Sequence, residues 1–159
     1  KINSLDSSKI SDVINEILFD LPKKYDLIIL LQTTAPLRDV RDIDNVIKKF
    51  IKNKSLKSVV SVVELGDIHP ARMYTVNSKN VLNPLNADLQ YELRQNLPKV
   101  YLRNGSIYAA KVDYFLEENE LYGENTEAYK MSESKWANID SERDLLFAEL
   151  MLKKFNDKN

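Results

Sequence analysis

Leu27-Ile28-Ile29-Leu30-Leu31-Gln32-Thr33-Thr34-Ala35-Pro36-Leu37-Arg38 is an unbroken aliphatic run that stops at an amide, two hydroxyls, a proline and a guanidinium. Five consecutive aliphatic residues cannot alternate between a core face and a wet face. The run therefore predicts a central strand covered by helices on both sides, in a mostly parallel sheet. Ligands collect at the carboxyl ends of strands in such sheets, so Gln32 to Arg38 reads as a polar shelf beside a site. A capped connection without any ligand fits the same residue types.

Upstream, Ile10, Val13, Ile14, Ile17, Leu18 and Leu21 stand at helical spacing behind Ser7-Ser8, which supply a hydroxyl cap, and Pro22 ends that helix. Downstream, Ile43, Val46, Ile47, Phe50 and Ile51 predict an amphipathic helix over 41–52, with Asp42 and Asp44 in its first turn. The β-branched run Ser58-Val59-Val60-Ser61-Val62-Val63 follows as a strand. Strand, helix and strand make a βαβ unit with a right-handed crossover and parallel strands.

The pattern then changes. Residues 64–99 have no helical period of useful length, but short β-like pieces at 71–76 and 80–82 flank the turn residues Asn77-Ser78-Lys79. An arm over about 65–99 is expected, either covering a site or reaching a second subunit. Val100 to Leu102 and Ser106 to Ala110 return to strand around Asn104-Gly105. A short helix over 113–120, a strand over 128–131 and a closing helix over 141–154 complete the chain, with Ser141 and Asp144 resembling a capping box.

Composition bounds the partners. The 159 residues fit one domain. With 23 basic against 24 acidic residues the net charge is -1, so no basic field argues for nucleic acid. The absence of cysteine excludes disulfides, thiolate nucleophiles and cysteine zinc sites, and fits a reducing cytoplasm. No apolar run approaches the roughly 18 residues of a membrane span. A small-molecule partner is expected.

Five segments in register resemble the CMP-sialic acid synthetases, the acylneuraminate cytidylyltransferases. Leu31 to Arg38 resembles the signature LQPTSPLR, and His69-Pro70 with Arg72 resembles HP-x-K/R. Arg94 to Pro98 resembles RQ-x-LP, Arg103 to Tyr108 resembles the NGAIY strand, and Asn138 to Leu145 resembles DIDTEEDL. The resemblance implies an α/β, Rossmann-like nucleotidyltransferase fold with a mostly parallel sheet and a small β-rich dimerisation arm. The family's opening strand and basic glycine loop, R-x-GSK-x-x-x-KN, which holds the CTP triphosphate, have no counterpart here. The reading expects the sequence to begin inside the domain, with that loop missing.

The implied chemistry is attack of a sugar's anomeric hydroxyl on the α-phosphorus of CTP, releasing pyrophosphate. The acceptor would be a nonulosonic acid, N-acetylneuraminate or a legionaminic or pseudaminic relative, with Kdo an alternative acid sugar. Asp140 would anchor Mg2+, with Asn138, which replaces the family's first aspartate, as a neutral ligand; an N-cap role explains Asp140 equally. Gln32 would touch substrate at the reacting centre. Arg72 and Arg94 match positions that take the sugar carboxylate, and Asn104, Tyr108 and Tyr122 would line the sugar pocket. Ser7, Ser8 and Arg38 are implied nucleotide contacts, although capping explains the serines and a pair with Asp39 or Asp42 explains Arg38. His69 suggests arm architecture. The arm implies a homodimer. A non-catalytic, dimerising fragment that binds a sugar acid remains the alternative of a different class.

Overall fold

The aliphatic run forms β1 (Leu27–Leu30) in a computed structural model that describes residues 9–66 and 68–156. Its side chains alternate between two apolar layers. Leu27, Ile29 and Leu31 pack with α2 (Val40–Lys52) against Val46 and Phe50, while Ile28 and Leu30 pack beneath α1 (Ile10–Asp20) with Ile14. Period-two alternation with helices on both faces explains why no polar residue interrupts the run.

The sheet order among the described residues is β1-β5-β2-β6, where β2 is Ser58–Glu64, β5 Tyr101–Lys111 and β6 Glu127–Met131. β5 is antiparallel to β1 and to β2, and β2 is parallel to β6, so β1, β2 and β6 run one way and β5 runs the other. The expected β1–α2–β2 unit is present with its strands parallel. They are not neighbours, because β5 lies between them. The central position expected for β1 belongs to β5 and β2: all four residues of β1 are only half-buried, and it is the edge strand of the described residues. β5 is longer, at 11 residues, and buries Ile107 and Ala109 on one face and Ala110 on the other.

Helix ends follow local chemistry. Asp39 caps α2 through a reciprocal box, accepting from the Asp42 amide at 3.1 Å while the Asp42 carboxylate accepts from the Asp39 amide at 3.0 Å. α1 begins after Lys9, which makes no side-chain cap; Ser7 and Ser8, expected as that cap, lie outside the described residues. α3 (Val112–Glu118) ends on Asn119 in the left-handed conformation. α4 (Glu142–Asn156) opens on the expected Ser141 and Asp144 pair, whose side chains bond at 2.8 Å.

Between β2 and β5 the chain makes the expected arm. β3 (Tyr74–Val76) and β4 (Leu82–Pro84) form an exposed antiparallel hairpin. Asn77 closes its turn by accepting from the amides of Lys79 and Val81, with Asn80 at φ 58°. The two ends of the arm meet at its root, where the Leu65 amide donates to the Val100 carbonyl at 3.1 Å. His69 secures the same root: its Nδ1 accepts from the Ala71 amide at 3.0 Å and its Nε2 donates to the Pro98 carbonyl at 2.9 Å. The histidine is architectural, as read from sequence.

Candidate functional site

Because β1, β2 and β6 are parallel, the segments leaving their carboxyl ends emerge at one edge of the sheet: the shelf after β1, the arm after β2, and residues 132–141 after β6. β5 runs the opposite way, so its first residues lie at that same edge. Such an edge is where ligands gather in open α/β sheets.

The shelf is built from alternating burial. Ala35 and Leu37 point inward and are buried, leaving Gln32 and Thr33 exposed. Arg38 fixes the bend, with Nη1 donating to the carbonyls of Gln32 at 2.8 Å and Ala35 at 2.6 Å. Burial lowers its pKa from the ordinary arginine value. The structural role considered for Arg38 is therefore found, but its partners are backbone carbonyls and not Asp39 or Asp42. Nη1 is thereby committed to the loop.

Two distant segments converge on the Gln32 shelf. Gly105 sits at φ +73°, and a Cβ built there would lie 2.6 Å from Gln32 Oε1, 3.6 Å from Ala35 Cβ and 3.6 Å from Asn138 Oδ1. The glycine is needed twice, for its left-handed backbone and for the close approach of the amide. Asn138 and Asp140 are exposed and adjacent, the Asn138 amide donating to the Asp140 carboxylate. The Ile139 amide between them donates to the Thr34 carbonyl at 2.8 Å, which docks this loop on the shelf. Ser141 and Asp144 form the cap of α4, and the Asp140 backbone amide donates to Asp144 at 3.2 Å. The N-cap explanation of Asp140 is thereby removed, and its carboxylate faces outward.

Asn104, expected to touch substrate, is 2% exposed. β5 bulges at this point: Val60 pairs with Tyr108 and Val62 with Arg103, so Ser61 spans the residues from Asn104 to Ile107. Ser61 Oγ donates to Asn104 Oδ1 at 2.6 Å and accepts from the Ile107 amide at 2.8 Å, and Asn104 Nδ2 reaches Met131. Asn104 thus holds the bulge that presents Gly105, from behind the site.

Tyr108 and Tyr122 do meet, with ring centroids 5.7 Å apart. Burial raises the Tyr108 pKa above its usual value, only partly offset by Arg103. The Arg103 guanidinium lies 4.6 Å over the Tyr122 ring. Sequence reasoning did not single out Arg103; a cation immediately before Asn104-Gly105 was the available signal. At the arm root, Arg72 donates to the carbonyls of Gln90 and Glu92, and Arg94 Nη2 donates to the Gly66 carbonyl at 3.3 Å. With Glu64, His69 and Lys99 they line a cavity of about 230 Å³. A wider apolar groove of about 1280 Å³, lined by Leu18, Phe19, Phe50, Lys111 and Leu116, lies beside residues 22–27 before and at the start of β1. It is at the opposite end of that strand from Gln32, and none of the convergent polar groups reach it.

As for a metal, no group of three or more histidines, cysteines or carboxylates capable of holding one occurs among the described residues. One carboxylate, Asp140, beside one amide, Asn138, fits the oxygen chemistry of Mg2+ when substrate phosphates supply further ligands. Among the described residues no helix is long and apolar enough to cross a membrane.

No family model matches the chain. It is 30% identical over 139 residues to post-translational flagellin modification protein B of Campylobacter coli, across 84% of this chain and 55% of that protein. It is 42% identical over 62 residues to CMP-N,N'-diacetyllegionaminic acid synthase of Campylobacter jejuni, across 39% of this chain and 26% of that protein. To N-acylneuraminate cytidylyltransferase of Streptococcus agalactiae it is 27% identical over 144 residues, across 90% of this chain and 34% of the relative. The chain thus spans about half the length of these relatives, or less. The structure of CMP:2-keto-3-deoxy-manno-octonic acid synthetase complexed with CTP superposes with a TM-score of 0.62 at 15% identity, over 94% of this chain and 70% of that one, which establishes the nucleotidyltransferase fold. The motifs in register, the shared fold and these relatives together support a place for the chain in the CMP-sialic acid synthetase family of cytidylyltransferases.

Proposed function

We propose that this protein transfers CMP from CTP to the anomeric hydroxyl of a nonulosonic acid, releasing pyrophosphate. The observation that carries the reading is the meeting of Gln32, Gly105 and the Asn138–Asp140 loop at the carboxyl end of β1. Relatives named as CMP-diacetyllegionaminic acid synthase and N-acylneuraminate cytidylyltransferase support both the donor and the acid acceptor.

The chemistry follows from the groups present. The exposed Gln32 amide, for which Gly105 leaves room, offers a donor and an acceptor that orient the acceptor sugar beside the α-phosphorus. Asp140, with Asn138, would hold Mg2+, which when bound neutralises charge on the triphosphate oxygens. Tyr108 and Tyr122 give the sugar an apolar wall. Arg94 provides a cation for the sugar carboxylate at the arm root, while Arg72, whose Nη1 and Nη2 already donate to the Gln90 and Glu92 carbonyls, contributes its charge and not its fork. Arg38 holds the shelf through Nη1, and the buried Asn104 holds the bulge. Ser7 and Ser8, expected near the nucleotide, lie outside the described residues.

The arm is proposed to pair with that of a second copy. Met73, Tyr74, Val76, Val81, Leu82 and Leu85 are exposed apolar residues on and beside the hairpin, and such a patch marks an interface in soluble proteins. Sedimentation velocity at tens of micromolar is expected to show a dimer.

The deciding test is pyrophosphate release from CTP and Mg2+ with N-acetylneuraminate, legionaminic, pseudaminic and Kdo acids. Release with one nonulosonic acid, reduced about 10²–10³-fold by Asp140→Asn, is expected. No release with any of them overturns the proposal.

A further inference from the structure

The shelf and the Asn138–Asp140 loop are far apart in sequence and are joined at three places. Leu37 packs against Ala137 and Ala148. The Ile139 amide bonds the Thr34 carbonyl at 2.8 Å. The third tie is ionic: Lys135 Nζ donates to Asp42 at 2.7 Å and to Asp39 at 3.0 Å, with the Lys135 side chain only 16% exposed and that of Asp42 6%. Tyr129 donates its hydroxyl to the other Asp42 oxygen at 3.1 Å. Asp39 and Asp42 are the capping pair of α2, so the ammonium is held on the helix that follows the shelf directly.

Charges withdrawn from water are an expensive way to stabilise a fold, since apolar replacements of similar volume often do as well or better. What such a cluster supplies is geometry. Lys135 ends a short 3₁₀ turn, Glu133–Lys135, capped by Ser132. Only Trp136, Ala137 and Asn138 lie between its anchor and that of Ile139. With each extended residue spanning at most about 3.6 Å, both ends of this short link are pinned to residues 34–42. Asn138 then has little slack relative to Gln32.

We infer that Lys135 is a positioning residue: through Asp39 and Asp42 it sets the Asn138–Asp140 loop against the Gln32 shelf. The inference rests on the cytidylyl transfer proposed above. It concerns a side chain that touches neither substrate nor metal, so its removal changes where Asp140 stands and leaves the ligand set intact.

The test uses the full gene product with Lys135→Met, Lys135→Arg and the double variant Asp42→Asn with Lys135→Met. Mn2+ uptake in the presence of CTP is followed by electron paramagnetic resonance, alongside kcat, KM and thermal melting. Lys135→Met is expected to weaken Mn2+ uptake about 10–100-fold, the range for losing an outer partner of a metal site. Its kcat should fall in parallel while KM for the sugar acid stays within about twofold. Lys135→Arg, which keeps the charge, should recover most of both. The double variant removes the stranded carboxylate and should recover melting temperature without recovering Mn2+ uptake. A folded Lys135→Met protein with wild-type Mn2+ uptake and kcat overturns the inference, as does recovery of kcat in the double variant. Wild-type protein without CTP-dependent Mn2+ uptake or pyrophosphate release overturns the functional reading as well.

Discussion

Gly105→Ala separates the backbone demand at the bulge from the chemical demand of the site. The added methyl would stand 2.6 Å from Gln32 Oε1, a distance no Cβ tolerates, whereas Ala35 Cβ and Asn138 Oδ1 at 3.6 Å are ordinary contacts. Gln32 is exposed and its amide is the far end of a flexible chain, so the side chain should swing away and relieve the clash at little cost to stability. The backbone cost remains: alanine at φ +73° loses about 1–2 kcal/mol, a drop of about 2–8 °C in melting temperature for a domain of this size. Displacing the amide would remove the substrate hydrogen bond proposed for Gln32, about 0.5–1.5 kcal/mol, so kcat/KM should fall up to about tenfold. Gln32→Ala alone should cost the same activity with almost no stability. In the Gly105→Ala, Gln32→Ala double variant the stability loss should persist while activity falls no further than in Gln32→Ala. Urea unfolding and pyrophosphate release measure the two quantities. Full additivity of the activity losses, or a Gly105→Ala protein of wild-type activity, refutes the placement of Gln32.

Stability should peak over a broad pH range because of the Lys135 cluster. Burial opposes ionisation of Asp39, but the hydrogen bond from Lys135 and the Asp42 amide hold its carboxyl below 3.8, so that support is present above this value and lost as pH falls through the lower folded pKa. Burial likewise opposes charge on Lys135, yet its bonds to Asp42 and Asp39 hold it above 10.5, so its support is complete below that value and lost as pH rises past it. Arg41, 3.3 Å from Asp39, and the Tyr129 hydroxyl on Asp42 face the same cluster. The deficit of Lys135→Met in urea unfolding should therefore narrow below about pH 4; an equal deficit at pH 3 and pH 7 would contradict this account. Asn104→Ala should cost about 2–3 kcal/mol in unfolding free energy by stranding buried polar partners, and a loss within about 0.5 kcal/mol, typical of a surface change, would show that the bulge does not depend on it. Val76→Glu with Leu82→Glu on the exposed hairpin should shift sedimentation from dimer to monomer with unchanged melting; an unshifted dimer would place the interface elsewhere.

How much could be read beforehand depended on whether the signal was local. The unbroken run at 27–31 announces a strand covered on both faces, since each of its residues meets one apolar layer or the other. The helices α1 and α2 and the Ser141–Asp144 cap are local too and are found where expected, although Ile10, Ile17 and Ile51 of the two stripes face solvent. Position within the sheet is not a local property. An apolar run looks alike whether its strand is central or at the edge of the described sheet, and nothing in residues 27–31 says that β5 will pair with it. Function at the level of single side chains was the least legible. Asn104 and Arg38 carry the residue types of a binding site, yet their polar atoms bond to Ser61, Met131 and backbone carbonyls. Lys135 looked like any surface lysine, because its partners Asp39 and Asp42 are distant in sequence.

The reversed strand is what makes the site possible. Parallel strands deliver only the residues that follow their carboxyl ends, here the shelf, the arm and the 132–141 loop. An antiparallel strand between β1 and β2 contributes its opening residues at the same edge, and the bulge held by Ser61 and Asn104 turns Gly105 toward the shelf. The glycine adds no side chain, and its contribution is the space in which the Gln32 amide comes to rest beside Asn138. Register in β5 is thus coupled to the position of Gln32. A one-residue slip would send Ile107 and Ala109 to the opposite face and carry Gly105 away from the amide. Burial of Ile107 and Ala109 in the α2 layer therefore holds the candidate site as well as the core, and loss of core packing, even by substitutions remote from Gln32, should disturb the proposed transfer.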